Sequence, residues 1–208
     1  MEETFAQLKK ILAEVADLEH AAALLDWDQQ TYMPPGGIEA RSNQLGTLRG
    51  LAHQKFISEE VGQRVEDLEP LLEELGDDSD QARLLRVTKR EYDKQTRVPS
   101  EFVSEFSRVT AAAHGAWIEA RKTDDFAHVQ PHLEKIVSLW RQYADYFAPY
   151  DHVYDPLLDD FEPGMKTAAV QEIFTELRPK QVALLQAIED KPQVDDSFLH
   201  LQYEEQGQ

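Results

Sequence analysis

The sequence predicts an all-α protein, and both its composition and its spacing of apolar residues support this fold class. Ala, Leu, Glu and Gln, which favour helices, supply 83 of the 208 residues, whereas the β-branched residues Val, Ile and Thr supply 29. Apolar residues recur at steps of three or four in the long segments, and no segment alternates apolar and polar residues long enough to predict a strand. We therefore expect a multi-helix array of about seven helices, with residues 1–208 forming a single α-helical domain.

The first helix is predicted from Glu2 to Gln30, because one apolar stripe runs along it. The stripe consists of Phe5, Leu8, Leu12, Val15, Leu18, Ala22 and Leu25. Pro-Pro-Gly-Gly at 34–37 ends the helix, since proline lacks a backbone donor and glycine favours turns. Trp27 and Tyr32 are expected to pack beneath this turn against the core, so that Trp27→Ala would cost about 3–5 kcal/mol.

The second helix is predicted from Ile38 to Phe56, and the next three begin at polar capping residues. The residues of the second helix expected in the core are Leu45, Leu48, Leu51 and Ala52. The third helix is predicted to be capped by Ser58 and to end near Leu75, with Pro70 dividing it. Ser79 or Asp80 is expected to cap the fourth helix, which ends before Pro99, and Ser100 is expected to cap the fifth. The residues expected on the core face of the fifth helix are Phe102, Phe106, Val109, Ala113 and Trp117.

The last two predicted helices are delimited by Pro131 and Thr167. Pro131 suits the first position of the sixth helix, where a missing backbone N–H costs nothing. The residues expected on its core face are Ile136, Val137, Trp140, Tyr143 and Phe147. Residues 149–165 are predicted to be irregular, and the seventh helix is expected from Thr167 to Ile188 with a kink at Pro179.

The charge balance excludes several classes of partner. The chain has 40 acidic and 21 basic residues, a net charge of −19, which disfavours binding to nucleic acid or to an anionic membrane. The longest apolar run, Ala21 to Leu25, is too short for a membrane span, and the chain has no cysteine, so the predicted location is the cytoplasm. The acid-rich segment 58–80 precedes the basic segment 83–97, and we expect two solvated helix faces that attract each other.

No catalytic, metal-binding or substrate-binding residue can be assigned from these residues alone. His128 and His132 have the spacing of a zinc helix, but Val129 stands where the motif needs glutamate, and Pro131 argues against one helix through both. The pairs Asp17–His20 and Asp125–His128 have aspartate where a di-iron helix uses glutamate. The acid-rich loop 151–162 does not match a calcium loop, and its aspartates are expected to accept loop and cap amides.

Three segments resemble signatures of the Taq-type thermostable carboxypeptidases, which are zinc-dependent enzymes with one H-E-x-x-H helix. Residues 24–37 read Leu-Leu-Asp-Trp-Asp-Gln-Gln-Thr-Tyr-Met-Pro-Pro-Gly-Gly, and residues 42–53 read Ser-Asn-Gln-Leu-Gly-Thr-Leu-Arg-Gly-Leu-Ala-His. Residues 154–165 read Tyr-Asp-Pro-Leu-Leu-Asp-Asp-Phe-Glu-Pro-Gly-Met. Trp, Met and paired Pro and Gly rarely coincide, so the resemblance is specific and extends over essentially the whole chain.

The resemblance implies the N-terminal half of a cleft-forming metallopeptidase fold. In the family, zinc or another divalent metal activates a water that removes C-terminal residues from peptides. The metal motif lies beyond the region that this chain resembles, so we expect a cleft wall and lid that is inactive and zinc-free by itself. The alternative to a core position for Trp27 is that it lines the substrate cleft of the whole enzyme. The family resemblance also implies a homodimer, for which an exposed face with Phe198, Leu199, Leu201 and Tyr203 is expected. The alternative is a stand-alone acidic helical interaction module derived from that half-fold.

Overall fold

The computed structural model describes residues 2–76, 78–189, 191–192 and 194–201, and it contains eight α-helices and no strand in those ranges. The helices are α1 (Glu2–Thr31), α2 (Ile38–Phe56), α3 (Glu59–Leu68), α4 (Asp80–Gln95), α5 (Ser100–Thr123), α6 (Phe126–Asp145), α7 (Asp155–Asp159) and α8 (Thr167–Glu189). Short 3₁₀ helices span Pro35–Gly37, Glu69–Glu73 and Ser197–His200. The predicted fold class is confirmed. The extra helix is α7, which lies in the segment predicted to be irregular, and Tyr203 lies outside the described residues.

The chain forms two compact units, Met1–Val153 and Tyr154–Gln208. In the first unit α2 packs against both α1 and α5, α6 packs against α5, and α3 packs against α1 and α4. The second unit contains α7 and α8. The single domain expected from the sequence stays a prediction, since two compact units can belong to one domain. Among the described residues, no helix combines the length and the apolar character that crossing a membrane requires.

Three apolar clusters form the core of the first unit. One joins α1, α3 and α4 through Phe5, Leu8, Ile11, Val61, Val65, Leu68 and Leu85. The second joins α1, α2 and α5 through Ala22, Leu45 and Ala111. The third joins α5 and α6 through Val98, Phe102 and Leu139. The predicted stripe of α1 is therefore correct at both ends, although Ile11 was not part of it.

The α2–α5 contact is close because glycines of α2 face α5. A Cβ atom added at Gly46 would lie 2.9 Å from the backbone oxygen of Ser104 and 2.8 Å from Cγ of Arg108. A Cβ atom at Gly50 would collide with the Ser104 hydroxyl. Only residues without a side chain allow this separation of the two backbones.

Gly46→Ala is expected to lower the free energy of unfolding by about 1 kcal/mol. Overpacking costs about 1–3 kcal/mol, and the better helix propensity of alanine returns about 1 kcal/mol. Gly36→Ala is the matched control, because nothing lies within 4 Å of a Cβ atom at Gly36. Urea denaturation of both variants measures the difference. Equal free energies of unfolding would mean that α2 and α5 can move apart without loss of stability.

Two predicted helix starts are wrong. Pro99 occupies the N-cap of α5, and Ser100 is its first helical residue. Helix α6 begins at Phe126, because Asp125 caps it by accepting the backbone N–H of Ala127 at 3.0 Å. Pro131 therefore lies inside α6, which continues past it. The caps at Ser58 and Ser79 and the division at Pro70 are confirmed.

On α2, α5 and α6, three residues expected on the core faces are exposed. Leu51 is 48% exposed because the buried face of α2 is set by Leu45, Gly46 and Gly50. Val137 is exposed, and Leu139 is buried in its place. Trp117 is exposed as well; its ring stacks with His114 and lies beneath the Arg121 guanidinium.

The acidic and basic segments contact each other as predicted. Lys89 of α4 lies 3.3 Å from Glu69 in the acidic segment and 3.4 Å from Asp93 in its own helix. Hydrogen bonding to Glu69 is the main cause of the raised pKa of Lys89. These side chains are partly exposed, so their contribution to stability is small.

Candidate functional site

The first signature segment, residues 24–37, is tied to α2 by two aspartate–arginine pairs. Arg41 donates to Oδ2 of Asp28 at 2.6 Å and also to the backbone oxygen of Leu25. Arg49 donates to Oδ2 of Asp26 and, at 3.1 Å, to the hydroxyl of Ser107 on α5. The guanidinium groups thus fix the rotation of the last turns of α1 relative to α2.

The aromatic residues of this segment face away from the core, so the prediction that they pack beneath the turn is wrong. Trp27 is 53% and Tyr32 75% exposed, and their rings lie edge to face with centroids 5.4 Å apart. Asp26 and Asp28 contact α2, and Gln29 donates to the backbone oxygen of Ala111 at 3.3 Å. Successive helix residues are rotated by about 100°, so Trp27 points to the side that these three residues leave free. We call this exposed pair the aromatic pair.

Trp27→Ala is now expected to lower the free energy of unfolding by less than about 1.5 kcal/mol, the value of one aromatic contact. Trp140→Ala is the comparison, because its ring packs on Phe106 and Tyr143 with centroids 4.8 Å and 5.6 Å away. That variant should lose about 3–5 kcal/mol. Chemical denaturation of both variants measures the difference, and a large loss of unfolding free energy for Trp27→Ala would show that Trp27 packs in the core.

A buried polar cluster joins α2, α4 and α5, and sequence analysis missed it. Nδ1 of His53 lies 2.8 Å from the Ser100 hydroxyl, and Nε2 lies 3.2 Å from the backbone oxygen of Gln95. A carbonyl oxygen only accepts, so Nε2 carries the proton and Nδ1 accepts from Ser100. Burial is the main cause of the lowered pKa of His53. In the sequence, the one indication that His53 is buried was its position about one turn after the glycines of α2.

The second signature segment, residues 154–165, uses its aspartates to order the chain before α8. Oδ1 of Asp155 accepts the backbone N–H of Thr167 at 2.8 Å and its hydroxyl at 2.7 Å, and Oδ1 of Asp159 accepts the N–H of Gly164 at 2.8 Å. The hydrogen bonds from Thr167 lower the pKa of Asp155 to about 2. The predicted role of these carboxylates as acceptors of loop and cap amides is confirmed.

The histidines of α6 come closer to a metal helix than expected. His128 and His132 lie one turn apart on one continuous helix, contrary to the break expected at Pro131. Within the described ranges, however, no three His, Asp or Glu side chains are grouped so that they could hold a metal ion. Zinc needs at least three protein ligands in a catalytic site, so this donor set does not fit it.

Comparison with known proteins finds matches over nearly the whole chain. A family model described as carboxypeptidase Taq (M32) metallopeptidase matches residues 7–208. Thermostable carboxypeptidase 1 of Pyrococcus furiosus is 35% identical over 199 residues, which cover 93% of this chain and 39% of that protein. The protein of the same name from Thermus thermophilus is 31% identical over 100% of this chain and 42% of its own length.

Solved structures share the fold. The BsuCP crystal structure superposes with a TM-score of 0.89 over 98% of this chain and 41% of its own, at 24% identity. The Apo-Mg structure of the Pyrococcus furiosus carboxypeptidase superposes with a TM-score of 0.71 over 91% of this chain and 38% of its own, at 33% identity. The chain therefore spans about two fifths of the length of the curated relatives it matches.

Proposed function

The chain belongs to the carboxypeptidase Taq (M32) metallopeptidase family, and on that premise we propose that it forms a helical wall and lid of a carboxypeptidase cleft. The observation that carries the proposal is the match over residues 7–208 by a chain that spans two fifths of its relatives. The whole enzyme would remove C-terminal residues from peptides. Its zinc, or another divalent metal, would supply an activated water and polarise the scissile carbonyl.

The aromatic pair is the part of this wall that we assign to the cleft. Trp27 and Tyr32 are exposed, yet the Asp26–Arg49 and Asp28–Arg41 pairs hold the backbone that carries them. Rigid aromatic side chains present a large contact area with little loss of conformational entropy. In a closed cleft they would exclude water from a bound peptide. The homodimer and the cytoplasmic location expected from the sequence belong to this proposal as well.

The purified chain is expected to hold no stoichiometric zinc and to release no amino acid from a blocked dipeptide. The physical reason is that the sequence has no H-E-x-x-H, since none of its seven histidines is followed by glutamate. Metal analysis after gel filtration and a peptidase assay with added Zn²⁺ or Co²⁺ check both expectations. One tightly bound zinc per chain, or hydrolysis sensitive to a chelator, would contradict them.

A fusion tests the activity of the whole fold. Residues 1–208 replace the matched region of the Thermus thermophilus relative, and metal-dependent release of C-terminal residues is expected. The control is the same fusion with the glutamate of the relative's H-E-x-x-H replaced by glutamine, which should be inactive. A folded, metal-loaded fusion without activity would reject the proposal and favour a stand-alone interaction module.

A further inference from the structure

Two histidines lie one turn apart on α6, outside the signature segments and the His53 cluster. His128 and His132 are four residues apart on one continuous helix, so their Cβ atoms lie about 5–6 Å apart on the same face. His128 is exposed and His132 is half-buried. Both imidazoles are thus accessible to a ligand from solvent, and the proposed function uses neither of them.

The polar side chains around these histidines on α6 have partners of their own. Gln130 donates from Nε2 to Oε1 of Glu134 at 2.8 Å, and this pair lies on the other side of the helix, since two residues turn the helix by about 200°. Asp125 accepts the backbone N–H of Ala127 as the N-cap. None of these contacts engages an imidazole, so both rings can turn toward one shared ligand.

We propose that His128 and His132 together bind one Cu²⁺ ion, whose remaining coordination positions are taken by water. Imidazole nitrogen is a good donor for this ion, and the tetragonal geometry of Cu²⁺ accepts two neighbouring nitrogens. Cu²⁺ is also held most tightly among the first-row divalent metals. Once one ring binds, the second binds intramolecularly, at an effective concentration in about the millimolar range.

This copper site differs from the zinc site of a metallopeptidase. A catalytic zinc has three protein ligands and a structural zinc has four, whereas α6 supplies a pair. Zinc held by the same two imidazoles is bound more weakly than Cu²⁺ and should be lost during gel filtration. The inference therefore agrees with the expected absence of stoichiometric zinc, and it is independent of the proposed function.

A carboxylate on the neighbouring helix favours a cation at this position. The pKa of Glu119 on α5 is lowered mainly by the hydrogen bond that Lys122 donates to its Oε1 at 2.7 Å, and to a smaller extent by the charge of His128. Glu119 therefore lies within electrostatic reach of one of the two histidines. The net charge of the whole chain, −19, favours cation binding as well.

The two histidines flank the proline inside α6. Pro131 has no N–H to donate to the carbonyl of Ala127, so the first turns of α6 lack one helical hydrogen bond. His128 precedes the proline and His132 follows it. An ion held by both rings would link these turns across the missing hydrogen bond, and bound Cu²⁺ should stabilise the folded chain.

Calorimetric titration of the purified chain with CuCl₂ at neutral pH measures the binding. The wild type should bind one tight ion, and His128→Gln and His132→Gln should each weaken this binding at least tenfold, because one donor is lost. His20→Gln is the matched control. His20 is an exposed histidine within α1, with Ala16 and Leu24 at the four-residue spacing, so its loss should leave the binding unchanged.

Two further measurements distinguish the paired site from general binding of metal. Electron paramagnetic resonance of the bound Cu²⁺ should show coupling to two imidazole nitrogens in the wild type and to one in His132→Gln. Added CuCl₂ should raise the midpoint of urea unfolding of the wild type, and it should raise that of His132→Gln by less. Circular dichroism verifies that each variant keeps its helices.

Equal Cu²⁺ affinity in the wild type, both α6 variants and the control would mean adventitious binding only and would overturn the inference. So would coupling to a single nitrogen in the wild type. An inactive fusion, combined with the expected Cu²⁺ binding, would reject the carboxypeptidase role and keep the copper site. An active fusion, combined with a chain that does not bind Cu²⁺, would reject the copper site alone.

Discussion

Leu45→Ala is expected to lower the free energy of unfolding by about 2–5 kcal/mol, the range for deleting a fully buried leucine side chain. Leu45 has no exposed surface and packs between Ala22 of α1 and Ala111 of α5. The other buried residues of this cluster are both alanines, whose side chains are too short to fill the space that the deletion leaves, while the partly buried Leu25 and Leu48 pack against the cluster. The cavity therefore persists, and its cost adds to the lost transfer free energy.

Leu51→Ala is the matched control for Leu45→Ala, since it makes the same change in the same helix. Leu51 is 48% exposed, and exposed substitutions change stability by about 0.5 kcal/mol or less. Urea unfolding followed by circular dichroism compares the two variants. Similar losses at both positions would show that α2 is rotated relative to the arrangement described above.

His53→Leu is expected to lower the free energy of unfolding by about 1–3 kcal/mol, because it leaves the buried hydroxyl of Ser100 without its acceptor. The Gln95 oxygen still accepts the backbone N–H of Val98 at 3.0 Å, so it is not left unpaired. Adding Ser100→Ala to His53→Leu removes the unpaired hydroxyl and should restore part of the loss. No recovery in the double variant would mean that the hydroxyl finds another partner.

The same histidine makes stability depend on pH. Burial lowers the pKa of His53 below its ordinary value of 6.5, although the Gln95 carbonyl and Glu101 favour the protonated form. The unfolded chain therefore binds the proton more readily than the folded chain does. The stabilisation from neutral His53 is present above pH 6.5 and is lost as the pH falls through the lowered pKa. Denaturation at a series of pH values should show this slope in the wild type and a shallower one in His53→Leu.

Most helix limits were predictable from local chemistry, whereas the side chains that several helices turn outward were not. Prolines, glycines and capping hydroxyls act within one turn, so α2 was predicted at its observed limits, Ile38 to Phe56. The orientation of Trp27 depends instead on Asp26 and Asp28 meeting arginines on another helix, which no local pattern reveals. Pro131 was wrongly predicted to begin α6, because Asp125 caps the helix earlier in the chain. No site residue was predicted from the sequence; the resemblance marked only the segments, and the exposed aromatic pair and the His53 cluster required the packed structure.

The length of α1 turns small rotations at one end into large displacements at the other. Its buried residues are Phe5, Leu8 and Ile11 near the start and Ala22 further on, so it is anchored in two separate clusters. Leu8 and Trp27 lie about 28 Å apart along the axis at 1.5 Å per residue, so a tilt of about 4° about Leu8 would move Trp27 by about 2 Å. Because Ala22 and the Asp26–Arg49 and Asp28–Arg41 pairs tie the far end of α1 to its neighbours, such a tilt must be shared by α2, and the packing among α1, α3 and α4 is thereby coupled to the position of the aromatic pair.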